Sequence, residues 1–290
     1  MFHSTHKIME KKTLINLNGK IIDASQPIIS VDNRAFRYGD GLFESIRVID
    51  HHLQLFDIHY KRFIAGCEIL KLKLSKDWTK EYFMTQIQEL LEAKGNGKNA
   101  RVRMCFFRTA GGFYEPGSNH AEFLIEADAM KDRGYPLNKE GFIMDLYNDT
   151  EKPTNLFSTF KTSNSLIYVL AAIYKKEHGL NDCFLMNSKN RVIESIDSNI
   201  FLVKNGEIST PSTTEGCVAG VMREHLLSVM EANNITYHKT PIMMEDLFAA
   251  EEVFLTNSIG GVHWVKKFKS KEYSLGIAKI LSDHLNKNFE

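Results

Sequence analysis

Several short stretches of the chain alternate apolar and polar residues, which is the period of a β-strand with one buried face. In "TLINLNGKIID" the alternation continues on both sides of Asn18-Gly19, a pair typical of a tight hairpin turn. "GLFESIRVID", "HLQLF" and "RVRMCFF" also have strand character. Between them, one helix is expected to be capped by Asp57, and another to follow Asp77 and end in the turn-rich "KGNGKNA". The first part of the chain is therefore predicted to mix strands and helices.

The polar stretch at 131–141 separates this part from the rest, because its glycines and proline interrupt both periods. Beyond it, the patterns predict strands at 142–147, 182–187, 192–203 and 252–257, and helices near 164–178, 221–233 and 273–287. We expect an α+β protein with a small N-terminal domain (1–130), a linker (131–141) and a larger C-terminal domain (142–290).

Composition narrows the possible partners. The chain has 290 residues, 43% hydrophobic and 25% charged, with 36 basic and 36 acidic side chains. This balance gives no reason to expect a nucleic acid or a membrane surface as partner. The four cysteines have no CxxC spacing, which favours reduced thiols over disulfides or a metal site. No stretch resembles a signal peptide or a membrane span, so a soluble cytoplasmic protein is expected.

Glu194 raises the first chemical question, because it interrupts a strand pattern in "NRVIESIDSNIFLVKNGEI". Apolar runs flank the polar insert "ESIDSN", and Asn205-Gly206 closes the end as a hairpin turn would. A glutamate in such a place most often lies on a solvated face, since glutamate is seldom buried without a partner. A cationic partner elsewhere in the chain would change that interpretation.

Two features of the chain, one on either side of Glu194 in the sequence, could belong to the same site. Lys161 stands just before "SNSLIYVLAAIYKKEHG", where Ser163 is expected to cap a mostly buried helix that Gly179 ends. Downstream, "TTEGCVAGVMREHLL" is a glycine-bearing loop that opens a helix at Val221, and the free N–H groups and dipole of such a start favour an anion. Each feature alone is weak, because lysines often stand at helix starts and most helices bind no phosphate.

The order of these three features along the chain, Lys161, then Glu194, then the glycine-bearing loop before Val221, resembles that in a known family. "FRYGDGLFESIRV", "HYKRF", "FKTSNSL", "RVIESIDSNIFLVKNGEISTP" and "GVMRE" are similar to the successive motifs of the class IV aminotransferases, the pyridoxal phosphate enzymes of fold type IV. The resemblance runs from about residue 13 to the carboxyl end. It implies a D-amino acid aminotransferase-like fold, with a small N-terminal α/β domain, a larger barrel-like C-terminal domain and the cofactor between them. It also implies a homodimer.

The resemblance implies a role for each matching residue. Lys161 would form the Schiff base with pyridoxal phosphate and carry a proton at the substrate's α carbon, which requires an amine of lowered pKa. Glu194 would face the pyridine nitrogen and favour its protonated form. Arg62, in the family's H-x-x-R pattern, would hold the phosphate with its fork of donors. Further cofactor contacts are expected from Ser198, Asn199, Gly220, Val221, Met222 and Ser258.

Met222 departs from the family pattern. Transaminases of the family often carry a threonine there, whose hydroxyl adds a side-chain bond to the phosphate. The phosphate site of this chain would keep the backbone N–H donors of Val221 and Met222 and lose that hydroxyl.

The reaction within the family is left open between a lyase and a transaminase. The spacing Lys-x-x-Asn-x-Leu is shorter than in branched-chain transaminases, which carry a tyrosine toward the cofactor oxygen, and is similar to that of D-amino acid transaminases and 4-amino-4-deoxychorismate lyases. "RTAGGFY" resembles the lyases' Arg-Gly-x-Gly-Gly motif, although Thr109 replaces a glycine. We favour a lyase that releases pyruvate and 4-aminobenzoate over a transaminase that uses 2-oxoglutarate. A silent homologue that binds the cofactor without turnover is a third alternative, against which the retention of Lys161, Glu194 and Arg62 argues.

Substrate contacts are expected from side chains in the same motifs. The candidates are Phe43, Arg47, Arg103, Arg108, Tyr114 and Ile259, with Trp264 as a further candidate for the pocket wall. Arg103 and Arg108 could each hold a substrate carboxylate, or could equally be surface arginines of a strand. The aromatic residues could likewise be plain core.

Overall fold

The computed structural model describes residues 13–25, 27–95, 97–287 and 289. Its strands form two sheets, one on either side of residues 130–141, and helices pack against both. None of the helices in this described part of the chain is long and apolar enough to span a membrane.

The N-terminal sheet is antiparallel throughout. Its strands are β1 (Leu14–Leu17), β2 (Lys20–Asp23), β3 (Gly41–Ile49), β4 (His52–Leu53), β5 (Ala100–Arg108) and β6 (Ala121–Ala129), in the order β2-β1-β6-β5-β3-β4. The helices of this part are α1 (Arg34–Tyr38), α2 (Phe56–Ile69) and α3 (Lys80–Lys94). Four phenylalanines, from α2, α3, β5 and β6, pack edge-on or stacked at the centre of its core: Phe63, Phe83, Phe106 and Phe123.

The local predictions for this part are largely confirmed, but in "HLQLF" only His52–Leu53 is a strand, and the start of α2 differs from its prediction. Asn18 and Gly19 have positive φ angles of 52° and 86° and form the predicted hairpin turn. The prediction that Asp57 caps α2 is wrong. The connection from β4 is so short that the helix begins at Phe56, and Asp57 instead pairs with Lys80 at 2.8 Å on the surface.

The C-terminal sheet contains a closed barrel. Its strands are β7 (Phe142–Leu146), β8 (Asp182–Met186), β9 (Val192–Ser195), β10 (Asn199–Lys204), β11 (Glu207–Thr210), β12 (Tyr237–Lys239), β13 (Glu252–Asn257), β14 (Gly261–Phe268) and β15 (Lys271–Glu272). The order is β12-β11-β10-β13-β14-β7-β8-β9, and the additional pairing of β9 with β10 closes the ring. The helices are α4 (Leu166–Glu177), α5 (Val221–Ala232), α6 (Met244–Ala249) and α7 (Ile277–Asn286). The predicted barrel-like domain is confirmed.

Two apolar clusters lie on the two faces of this barrel. One cluster takes a buried side chain from each ring strand and fills the interior: Met144, Phe184, Val192, Ile200, Val253 and Val265. The other joins the outer face of β10 and β13 to α5 and α7, through residues such as Phe201, Phe254, Leu226 and Leu281. Successive apolar side chains along β10 and β13 therefore point alternately into the barrel interior and into the core under α5 and α7.

Helix α4 differs from its prediction. It begins after Ser165, whose side chain makes no cap hydrogen bond, and Ala171 is its one buried residue. The burial prediction rested on Leu166, Ile167, Leu170, Ala171 and Tyr174. Leu166 and Leu170 instead form an exposed stripe with Val169 and Ile173. The helix rests on β8 along a narrow face, so the expectation of a mostly buried helix capped by Ser163 is wrong.

The linker between the two sheets is held by hydrogen bonds to Arg47 and Trp264, two residues that were expected near the substrate. Arg47 is 1% exposed, and its guanidinium donates to the carbonyls of Asp132 and Gly134. Trp264 exchanges backbone and side-chain hydrogen bonds of 2.8–2.9 Å with Asn138. Both side chains are committed to the linker, which corrects the expectation that they contact substrate.

Candidate active site

A cavity of about 780 Å³ lies between the two sheets, with walls from both. Most of the residues predicted for the site line it: Phe43, Arg62, Arg103, Lys161, Glu194, Ser198, Asn199, Gly220, Val221, Met222, Ser258 and Ile259. Residues that the sequence did not single out also line it, among them Arg101, Lys152, Tyr168 and His263.

Lys161 is placed by pairing with the start of β3. The N–H of Phe43 donates to the Lys161 carbonyl at 2.8 Å, and the N–H of Ser163 donates to the Gly41 carbonyl at 2.9 Å. The Nζ atom lies 4.8 Å from the centre of the Phe43 ring, and no carboxylate of the described residues pairs with it. Burial and the nearby Arg62 lower the pKa of Lys161 to about 8. The amine can therefore lose its proton near neutral pH.

Glu194, at the end of β9, is 2% exposed and has three donors around its carboxylate. Lys152 Nζ and the Tyr168 hydroxyl both donate to Oε1, at 2.5 and 2.8 Å, while the N–H of Val218 donates to Oε2 at 2.7 Å. The glutamate enters the core because a lysine of the chain itself meets it there. The sequence concealed both partners: Lys152 lies in an irregular polar segment, and Tyr168 falls within the apolar pattern of α4.

Arg62 connects α2 to the loop before α5. Its Nε and Nη2 atoms grip both carboxylate oxygens of Glu44, and Nη1 donates to the Ala219 carbonyl at 2.8 Å. Glu44 also contacts His59 Nδ1 at 2.6 Å. Burial acts to raise the pKa of Glu44, but Arg62 and His59 outweigh it and lower the pKa to about 2. Glu44 thus fixes the arginine at the cavity wall.

The start of α5 is shaped by a close approach of Gly220 to Asn199. A Cβ at Gly220 would lie 1.7 Å from Asn199 Oδ1, while Asn199 Nδ2 donates to the Val218 carbonyl at 2.8 Å. Helix α5 begins at Val221, and Val221 and Met222 line the same cavity as Arg62. Helix dipole, free N–H groups and guanidinium together suit an anion.

Other predicted residues take different places. The Arg103 guanidinium lies 3.8 Å from the centre of the Phe43 ring in the cavity wall, whereas Arg108 and Tyr114 do not line the cavity. Arg108 is buried and directs its donors to Asp40 and to other groups of the chain. Tyr114 is 90% exposed beside Tyr38. These placements correct the expectation that Arg108 and Tyr114 form the pocket of their own chain.

Ser198 and Ser258 are both held by protein partners. Ser198 Oγ donates to Asp197 at 2.7 Å and accepts from Asn257 at 2.9 Å, and Ser258 Oγ donates to the Ser45 carbonyl at 2.7 Å. Met222 is 1% exposed and packs into the core under α5. The cavity therefore combines an amine of lowered pKa, a buried carboxylate and an anion site.

A sequence model of a known family, described as amino-transferase class IV, matches residues 41–268. The chain belongs to this family. Class IV aminotransferases and their lyase relatives are pyridoxal phosphate-dependent enzymes, so the chain is an enzyme of that class. The family predicted from the motifs is confirmed.

Individual relatives of this class IV enzyme are named for different reactions. It is 27% identical over 245 residues to a putative branched-chain-amino-acid aminotransferase of Methanocaldococcus jannaschii, covering 84% of each chain. It is 25% identical over 249 residues to an aminodeoxychorismate lyase of Vibrio harveyi, covering 85% of this chain and 90% of that one. The branched-chain amino acid aminotransferase of Escherichia coli matches in fold, with a TM-score of 0.85, 19% identity and coverage of 96% and 95%. The predicted fold type is confirmed.

Proposed function

We propose that this class IV enzyme binds pyridoxal 5'-phosphate in the cavity and acts as a 4-amino-4-deoxychorismate lyase, which releases pyruvate and 4-aminobenzoate. The observation that carries the cofactor proposal is the placement of Lys161, Glu194 and Arg62 around one cavity. The alternative is an amino-acid transaminase that uses 2-oxoglutarate, which the similarity to the Methanocaldococcus protein favours.

The donor set fits this cofactor. A primary amine with a pKa of about 8 suits an aldehyde, because its neutral form is populated near neutral pH. Arg62 and the start of α5 suit a phosphate, and Gly220, which has no Cβ, allows Asn199 to approach the chain closely at this point. Glu194 offers a buried carboxylate to a protonated ring nitrogen. Ser198, Asn199 and Ser258 would then support these groups from the cavity wall.

Bound pyridoxal phosphate would supply an electron sink for a carbanion. Lys161 would hold it and then accept the proton from the carbon that bears the substrate amine. In the lyase reaction that carbon becomes part of the aromatic ring as the bond to the enolpyruvyl group breaks, and the proton would leave with pyruvate. Phe43, whose ring lies beside Nζ, would restrict the directions in which this amine can move. Arg103 and Ile259 would contact the substrate, with Arg103 offering a cation to a carboxylate.

The place of Tyr168 favours the lyase over a branched-chain transaminase. In the branched-chain pattern a tyrosine after the lysine points toward the cofactor oxygen. Here the segment from Lys161 to α4 is shorter, Asn164 Nδ2 ties it to the Gly39 carbonyl at 3.1 Å, and Tyr168 directs its hydroxyl to Glu194. Tyr168 therefore lies at the end of the cavity where Glu194 is, and its hydroxyl contacts that carboxylate. The similarity to the Vibrio lyase supports the same choice.

A split assay on one preparation tests the proposal. The protein, loaded with pyridoxal phosphate, would be given 4-amino-4-deoxychorismate and followed for 4-aminobenzoate and pyruvate. In parallel, L- and D-amino acids would be given with 2-oxoglutarate and followed for glutamate. We expect aminobenzoate formation that Lys161→Ala abolishes, while Lys175→Ala, in α4 and not among the cavity-lining residues, serves as a matched control.

The outcomes separate the candidates. Glutamate formation without aminobenzoate would assign the transaminase. Cofactor uptake, seen as visible absorbance, without either product would favour the silent homologue. Absence of uptake by the wild-type chain would contradict the cofactor proposal itself.

We further propose that the enzyme is a cytoplasmic homodimer. The exposed stripe of α4 and the neighbouring Leu156 and Phe157 give a second copy an apolar surface to cover. The four free cysteines, three of them buried, fit a reducing compartment. Sedimentation of the wild type and of Val169→Asp would test the dimer, because a charge at that position should weaken association.

A further inference from the structure

Glu194 has two protein partners that the proposed reaction does not require. Lys152 Nζ and the Tyr168 hydroxyl occupy Oε1, and the N–H of Val218 occupies Oε2. An ionised carboxylate offers about four lone-pair sites. Three protein donors therefore leave about one site for a group in the cavity, so any cation that enters must share this carboxylate with the protein.

Lys152 is built into this position. The side chain is 6% exposed, and Nζ also donates to the Ser158 carbonyl at 3.0 Å. Its ammonium lies 5.5 Å from the centre of the Tyr168 ring. Lys152 Nζ and Glu194 Oε1 form a buried ion pair, 2.5 Å apart. The lysine thus places its ammonium on Oε1, the carboxylate oxygen that it shares with the Tyr168 hydroxyl.

The other titratable groups near Glu194 contribute less positive charge. Burial and Glu194 raise the pKa of Tyr168, so its hydroxyl remains a neutral donor. Burial raises the pKa of Cys217 to about 11, which keeps that thiol neutral as well. Lys161 acts on Glu194 from farther away, without an ion pair. Among the described residues, Lys152 is the cation in direct contact with this carboxylate.

We propose that Lys152 is a positioning residue that shares Glu194 with the ring nitrogen of the bound cofactor and weakens protonation of that ring. The inference rests on the proposed function. The physical reason is that the ammonium repels a protonated ring and competes for the same carboxylate. A less protonated ring withdraws electrons less strongly. Lys152 would thus set the strength of the electron sink without touching substrate.

Three variants separate charge from packing. Lys152→Met removes the charge and keeps most of the volume, Lys152→Arg keeps the charge, and Tyr168→Phe removes the neutral donor from the same oxygen. Each would be loaded with pyridoxal phosphate labelled with ¹⁵N in the ring, and the ring-nitrogen NMR shift would be followed with pH. We expect the titration midpoint of Lys152→Met to rise by about one pH unit or more. Lys152→Arg should stay near the wild type, and Tyr168→Phe should move less than Lys152→Met.

A merely structural lysine would weaken folding or cofactor affinity without moving this midpoint. An unchanged midpoint in Lys152→Met would therefore overturn the inference. An equal shift in Lys152→Met and Lys152→Arg would overturn it too, because the charge would then be irrelevant.

A second measurement needs no cofactor. In the apoprotein of Lys152→Met, no ammonium pairs with the buried Glu194 carboxylate. Near neutral pH the folded state would therefore hold a proton on this carboxylate that the unfolded state has already lost. Its free energy of unfolding should fall relative to the wild type as pH rises from 5 to 8, while that of Lys152→Arg should not. If the free energies of unfolding of Lys152→Met and the wild type change with pH in parallel, the inference about Lys152 is overturned and the proposed function is not. Failure of the wild type to take up pyridoxal phosphate would overturn the proposed function together with it.

Discussion

Two of the three arginines on strand β5 look alike in the sequence and have opposite surroundings in the structure. Arg108, at its end, is buried in a bidentate pair with Asp40. Arg103, earlier on the same strand, stacks on Phe43 in the cavity, and its carboxylate neighbour Glu126 is 4.0 Å away on the surface. An arginine whose donors are satisfied by the protein supports the fold, while one with free donors in a cavity can bind a ligand.

The largest expected effect is the loss of stability in Arg108→Met. The side chain also donates to the Leu70 carbonyl at 2.7 Å and to Asn119 at 2.6 Å, so its removal leaves several buried acceptors unpaired. Breaking a buried pair from one side typically lowers the free energy of unfolding by about 3–5 kcal/mol. Urea denaturation would measure it, with Arg103→Met as the matched control, for which we expect less than about 1 kcal/mol. Equal losses would contradict the comparison.

Arg62 lies between these extremes, because Glu44 satisfies one side of its guanidinium and the cavity borders the other. The pKa of Glu44 is about 2 in the folded state and 4.5 ordinarily. The resulting stabilisation is complete above pH 4.5 and disappears as pH falls toward 2. Between pH 5 and 2 the wild type should therefore lose about 3 kcal/mol more stability than Glu44→Gln. Parallel urea denaturation series would measure this, and identical acid profiles would show that the pair contributes nothing.

The smallest effect on folding, and a specific one on binding, is expected for Arg103→Met. A hydrogen bond from a charged donor contributes about 1.5–3 kcal/mol. The KM for a substrate with two carboxylates should accordingly rise about ten- to hundredfold, with kcat changed less. Arg101→Met, on the same face of β5, is the matched variant. If KM rises equally for substrates with one carboxylate, Arg103 does not select the second one.

The sequence was sufficient for elements with a clear period and a sharp turn. Asn205 and Gly206 close the β10–β11 hairpin with φ angles of 52° and 77°, as their residue types predicted. The strands β6 and β14 were missed because buried residues fall on both of their faces and the alternation is lost. Helix α6 has six residues, too few to display a helical period.

The candidate site was predicted where a motif names a residue and missed where a contact depends on the fold. Lys161, Glu194 and Arg62 come from motifs, and all three line the cavity. Lys152 and Glu194 are 42 residues apart in the sequence, so no local pattern indicates that they form a contact. Arg47 and Arg108 were misplaced because the sequence does not show which carbonyls and carboxylates will take their donors.

The barrel of the C-terminal sheet also has a consequence for synthesis of the chain. Strands β14 and β7 pair in parallel, with Val265 beside Phe142, while β9 and β10 pair as neighbours along the chain. The ring therefore cannot close until the last of its strands has left the ribosome. Such a long-range parallel pairing forms slowly, because the intervening loop entropy must be overcome first. Until then Glu194 and Lys161 have only part of their surroundings, and a truncated nascent chain has no complete pocket in which to retain a cofactor.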